Sequence, residues 1–121
     1  MKRYKGMRIN PEQETGSDVK VVVQYFEGDT FDVENMKRAE RLAHHVEHSP
    51  TGFCWGYGGS GPADLALSIL WDFLGKRPVT AMYMEFKWHF VATWGAEWEI
   101  TSKEIEDWIV EWGVKQCKKQ D

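Results

Sequence analysis

Between Gly61 and Gly75 the chain reads PADLALSILWDFL, a run with almost no polar surface to offer solvent. On a helical wheel, Ala63, Ala66, Leu67, Ile69, Leu70, Phe73 and Leu74 cover most of the circumference. Asp64, Ser68 and Asp72 fall at i, i+4 and i+8, on one narrow polar stripe. A helix that is apolar nearly all round has to be enclosed by the rest of its domain. The run therefore predicts a central, buried helix around which the rest of the chain wraps. Pro62 after Gly61 suits a first helical turn, Gly75 suits a C-terminal cap, and Pro78 forbids simple continuation. Asp64 is expected in the first turn, where a carboxylate complements the helix dipole.

The other elements read as β first and α afterwards. Residues 1–18 are polar, carry Pro11 and Gly16, and show no periodicity. They are expected as an N-terminal segment, a short ordered start followed by a loop. Val19, Val21, Val23 and Tyr25 alternate with Lys20, Val22, Gln24 and Phe26, which is strand periodicity. Glu27-Gly28-Asp29 supplies a turn, and Thr30 to Val33 is expected to return as the second strand of a hairpin. Asn35 to Glu47 fits a helix by propensity, or a loop and then a strand with Leu42, His44, Val46 and His48 on one face, and both readings stay open. Ser49-Pro50-Thr51-Gly52 is a turn, after which Phe53 to Tyr57 can pair back as a strand.

Thr80 to Trp94 aligns Tyr83, Phe86, Phe90 and Trp94 on one helical face, with Glu85 and His89 on another, and Gly95 ends it. Thr101 and Glu104 match a capping box, with Ile100 and Ile105 placed for a hydrophobic staple. The helix that follows turns Ile105, Trp108, Ile109 and Trp112 inward and Glu106, Asp107 and Glu111 outward. The expectation is one α+β domain over 19–121: a small N-terminal antiparallel sheet packed on about three helices, one of them central and buried.

Charge and cysteine content narrow the function classes. The formal net charge is −4, and basic residues cluster only at the two ends, as MKRYKGMR and KQCKK. A duplex-binding protein shows a basic face, so double-stranded nucleic acid is a disfavoured partner. No segment is long and apolar enough to cross a membrane. The basic N-terminus lacks the apolar stretch of a signal peptide. Cys54 and Cys117 form no C-x-x-C pair, and two free thiols in a cytoplasmic protein are the expectation. The seven Trp, six Phe and four Tyr can build a core as readily as a site.

The densest chemistry lies in His48 to Ser60. Gly56, Gly58, Gly59 and Gly61 free the backbone to turn its N–H groups onto an anion at the start of the central helix. Trp55 and Tyr57 offer rings to stack on a base. Lys87, among Tyr83, Phe86 and Phe90 on the next helix, either snorkels along the aromatic face or supplies the cation that the loop lacks. Neither common phosphate motif is present, Pro62 removes one donor, and Asp64 places a negative charge nearby. The structural alternative is a tight corner where aromatics pack on bare backbone.

His44, His45 and His48 raise a metal site, but H-E-x-x-H and an obvious third ligand are missing. The simpler reading has His48 bonding the turn through Ser49 and Thr51. Cys54 or Ser60 as a nucleophile paired with His48 or His89 would need contacts that spacing does not show. The acidic residues Glu104, Glu106, Asp107 and Glu111 read as a solvated helix face.

HSPTGF, then WGYGGSGPA, the apolar helix, Phe86-Lys87, and Trp98 before a Thr-Ser capped helix form a recognisable series. It resembles the Domain of Unknown Function 6166 family, small proteins of bacteria, phages, plasmids and other mobile elements. The resemblance spans roughly Val19 to Trp112 and is most specific over His48 to Ala66. Cys54 stands where the family often carries an acidic or other polar residue. The resemblance implies kinship of fold and an accessory role of mobile-element type rather than a reaction.

The expected function is non-catalytic binding, with loop 48–61 taking a small anionic or nucleotide-like ligand. His48, Trp55, Tyr57, Gly58, Gly59, Ser60 and Lys87 are the candidate ligand-binding residues. The alternative is protein–protein interaction, with a host protein as partner or as a homodimer, the glycine-aromatic block then being purely structural. No catalytic residue, metal or cofactor is expected, and the expected location is the cytoplasm.

Overall fold

The computed structural model describes residues 1–9 and 19–119. Strands β1 (Lys2–Arg8), β2 (Val19–Phe26) and β3 (Met36–Arg41) precede helices α1 (Ser60–Leu74) and α2 (Thr80–His89). Strand β4 (Glu97–Thr101) and helix α3 (Ser102–Lys119) follow. The four strands form one sheet in the order β3-β2-β1-β4, with all three pairings antiparallel. The helices and the sheet's inner face share one core, so the α+β architecture is as expected.

α1 is the buried helix: every residue from Gly61 to Leu70 is enclosed. Gly75 caps it in the left-handed region (φ 76°), where a residue with a Cβ is strained. The start differs from the expectation. The helix opens at Ser60, so Pro62 sits inside the first turn and Asp64 lies beyond it. Thr101 and Glu104 form the expected capping box: each backbone N–H donates to the other's side chain, at 3.3 and 3.2 Å. Ile100 and Ile105 are both buried beside it.

The sheet departs from the sequence reading in several places, β4 among them, since no strand was expected over Glu97–Thr101. The polar stretch Lys2–Arg8, read as an ordered start, is strand β1 and lies between β2 and β4. Its inward positions are Tyr4 and Gly6. Gly6 stands opposite Trp98 of β4, and a Cβ there would lie 2.4 Å from the indole, so the ring occupies the space the glycine leaves. The hairpin partner of β2 is β3 rather than Thr30 to Val33. Phe31 folds back edge-on against Phe26 at 5.1 Å, and a 3-10 turn at Val33–Asn35 delays the return. Neither reading of Asn35 to Glu47 holds: strand β3 takes its first half, Met36–Arg41, with all six residues exposed, and residues 42–48, where the strand was expected, join no strand. Phe53 to Tyr57 forms no strand: Phe53, Cys54 and Trp55 are buried in succession, which the alternation of a one-sided strand does not permit.

The polar stripe on α1 holds the irregular chain in place. Asp64 is fully buried, and its carboxylate accepts the backbone N–H groups of Glu47, His48 and Ser49 at 3.2, 2.9 and 2.9 Å. His44 Nε2 lies 2.9 Å from the same carboxylate. One turn on, Ser68 Oγ accepts the N–H of His45 at 3.0 Å. Asp72 receives the Tyr4 hydroxyl at 2.6 Å and Lys2 Nζ at 3.1 Å. Outside this row, Arg77 grips Glu47 through two 2.8 Å bonds, and that hydrogen bonding holds the Glu47 carboxyl below its usual range.

Two stability measurements follow from the stripe. Asp64→Ala strips the buried N–H of Ser49 and the part-buried N–H groups of Glu47 and His48 of their acceptor, and urea denaturation is expected to show a loss of roughly 3–5 kcal/mol. Asp64→Asn retains one acceptor and should lose less. Burial, reinforced by the hydrogen bond to Asp72, pushes the Tyr4 hydroxyl well above the usual tyrosine range. The folded chain keeps this proton where the unfolded chain releases it. Stability is therefore complete below the ordinary tyrosine range and falls as pH rises through it. Melting curves of Tyr4→Phe should decline less at alkaline pH than those of the native chain.

Candidate functional site

The corner from Trp55 to Ser60 is built by glycines that let large side chains lie on the backbone. Gly56 adopts φ 87°, and its N–H donates to the Val91 carbonyl at 3.0 Å. A Cβ on Gly58 would overlap the Trp88 ring, and one on Gly59 would meet the Tyr57 ring at 2.3 Å. A Cβ on Gly61 would lie 2.8 Å from Cys54 Cβ and 3.1 Å from its backbone nitrogen. The corner delivers the chain into α1 through Gly59, which caps the helix without a side chain. The first-turn N–H groups of a helix lack intrahelical acceptors and carry the positive end of its dipole.

The candidate residues divide between the interior and the surface. Trp55 is fully enclosed, its Nε1 donating to the Gly95 carbonyl at 2.6 Å and its ring edge-on to Trp98. It has no face open for stacking. Tyr57 is 50% exposed over Gly59. Ser60 is exposed at the helix start. His48 is an exposed residue tied to two helices, by its N–H to Asp64 and by Nε2 to the Tyr83 hydroxyl at 2.8 Å. Ser49, rather than His48, bonds the turn, through Gly52 and Thr51.

Lys87 is only 7% exposed, and its ammonium points at the glycine corner, 3.4 Å from the Gly58 carbonyl. Among the described residues no carboxylate comes within ion-pair distance of it. Its other neighbour is the Trp88 ring, 4.5 Å from Nζ to the centroid. Trp88, absent from the candidate set, is 60% exposed and forms the outer wall of the corner. On the wheel it falls opposite Tyr83 and Phe86, and a tryptophan on the solvent side of an amphipathic helix was the available signal. Arg8 reaches the same loop from β1, donating to the Trp55 carbonyl at 3.0 Å.

Other arrangements offer less. His45 stacks flat on Trp71 at 3.8 Å and His44 is taken by Asp64, so the three histidines diverge. No group of three metal-ligating side chains converges among the described residues. Cys54 is buried and Cys117 exposed, neither in a disulfide. A groove of about 640 Å³ crosses the helix-free face of the sheet, lined by Lys5, Lys20, Gln24, Glu97 and Glu99 over Val22 and Ala39. A cleft of about 240 Å³ separates α2 from α3 beside His89 and Trp112. No helix among the described residues is long and apolar enough to cross a membrane.

The two kinds of glycine contact predict opposite costs. At Gly61 the obstacle is backbone and Cβ, so Gly61→Ala is expected to lose about 1–3 kcal/mol in urea denaturation. At Gly58 the obstacle is the end of an exposed side chain, so Gly58→Ala should cost under about 1 kcal/mol while displacing Trp88. A change in tryptophan fluorescence would report that displacement.

Searches of curated proteins and of solved structures find no match to this chain. The model of one protein family, described as a family of unknown function (DUF6166), matches residues 4–111, and the chain belongs to that family.

Proposed function

We propose that this protein is a non-catalytic binding module that takes a small anionic or nucleotide-like ligand at the glycine corner. The observation that carries this reading is Lys87. Enclosing an ammonium without a counter-charge disfavours the folded state, and here the ammonium is aimed at one carbonyl in the loop that opens α1. A phosphate or carboxylate at that point would complete its coordination. The N–H groups at the start of α1 would add donors and the favourable end of the dipole. The Asp64 charge is no obstacle, because it is fully buried and spent on residues 44–49. Tyr57 and Trp88 supply ring faces for a base, a role Trp55 is too enclosed to share.

A second reading, a protein-binding surface over a purely structural corner, is favoured by the way Trp88, Tyr57 and Cys54 fill the space over Gly58, Gly59 and Gly61. The two separate in a thermal-shift experiment with inorganic phosphate, mononucleotides, cyclic dinucleotides and oligonucleotides. On the ligand reading, at least one probe raises the melting temperature in a concentration-dependent way. Lys87→Met removes an uncompensated charge, so it should melt no lower than the native chain and yet bind about tenfold or more weakly. Trp88→Ala should weaken nucleotide more than phosphate. No shift from any probe, or equal shifts in Lys87→Met, assigns the corner to architecture.

A further inference from the structure

We infer that α3 carries a self-association face through which two copies of this chain pair antiparallel. This rests on nothing at the glycine corner. Val110, Val114 and Cys117 repeat at i, i+4 and i+7, so they form one stripe along the helix. Val110 is 60% exposed, Val114 is 49% exposed, and Cys117 is exposed. The stripe faces away from Ile105, Ile109 and Trp112, which turn toward the molecule. Valine is a modest helix former, and the solvent side of an amphipathic helix is ordinarily polar. Two adjacent valines there are accounted for by a surface that covers them.

Charge selects the occupant. The acidic residues Glu104, Glu106, Asp107 and Glu111 fall in the first part of α3, with Lys103 among them bound to Asp107 at 2.9 Å. Lys115 and Lys118 fall in the second part. A parallel copy would set acid against acid. An antiparallel copy, related by a two-fold axis between Val110 and Val114, sets Val110 of each chain against Val114 of the other. It also sets Glu106 against Lys118 of the second copy and Asp107 beside its Cys117. The patch is thus complementary to itself, as a two-fold contact requires. With two valines from each copy the interface is small, so the dimer is weak and concentration-dependent.

Sedimentation velocity of the native chain up to millimolar concentration should show a reversible dimer that added salt weakens. Val110→Glu/Val114→Glu, on the solvent face, should keep the native circular dichroism and melting curve and stay monomeric. The register has its own test. Within one chain positions 107 and 117 are about 15 Å apart along the helix, beyond the reach of a disulfide. Asp107→Cys should therefore form an interchain disulfide with Cys117 under mild oxidation, and Asp107→Cys/Cys117→Ser should not. A native chain monomeric throughout, a dimer indifferent to the double glutamate change, or native dimers cross-linked Cys117 to Cys117 would each overturn the proposal.

Discussion

The structure depends on one carboxylate. Asp64 projects from the most apolar helix of the chain and takes the N–H groups of three successive residues, Glu47, His48 and Ser49. A segment that joins no sheet still has to satisfy its backbone donors when it passes near the core. Here a single side chain does what a neighbouring strand would do elsewhere. Ser68 and Asp72 extend the same service along the helix, to His45 and to Tyr4. The stripe thereby joins the loop region and strand β1 to one rigid rod. It also fixes where the chain turns back at Ser49 to Gly52, and so where the glycine corner meets the start of α1.

The glycine corner reverses this logic. Along the stripe, each buried polar group has partners of suitable sign and distance. At the corner, the ammonium of a buried lysine meets a neutral carbonyl and a ring. Interiors tolerate incomplete pairing poorly. The contrast between a fully satisfied carboxylate and an incompletely satisfied cation in one small domain gives Lys87 its functional interest. Neither sequence proximity nor aromatic content would do so.

What the sequence discloses follows from how local each signal is. The apolar periodicity of α1, the Gly75 cap and the Thr101–Glu104 box are carried by residues within one or two turns of each other, and all are legible before folding. β1 and β4 are not, because their inner face is shared across strands. Gly6 contributes an absence, and Trp98, more than ninety residues later, contributes the volume that fills it. β3 leaves no imprint because all of its side chains are exposed and none has to alternate. At the site, the glycines and Lys87 stand out by type. Which rings are buried is a tertiary fact: Trp55 and Trp88 are equally conspicuous as letters, and only packing makes one a core residue and the other a wall.

The rims of the sheet have a consequence of their own. β3 closes one side, with Lys37, Arg38, Glu40 and Arg41 all exposed, and β4 closes the other, with Glu97 and Glu99 exposed. An open strand edge invites a foreign strand to add to it, and charged side chains along the edge oppose that addition. A misfolded or crowded neighbour thus finds no welcoming template at either border. Among the described residues the sheet ends after four strands, and charged side chains on both rims oppose fibrous growth from its margins, those of β3 being the same that leave it without a buried face.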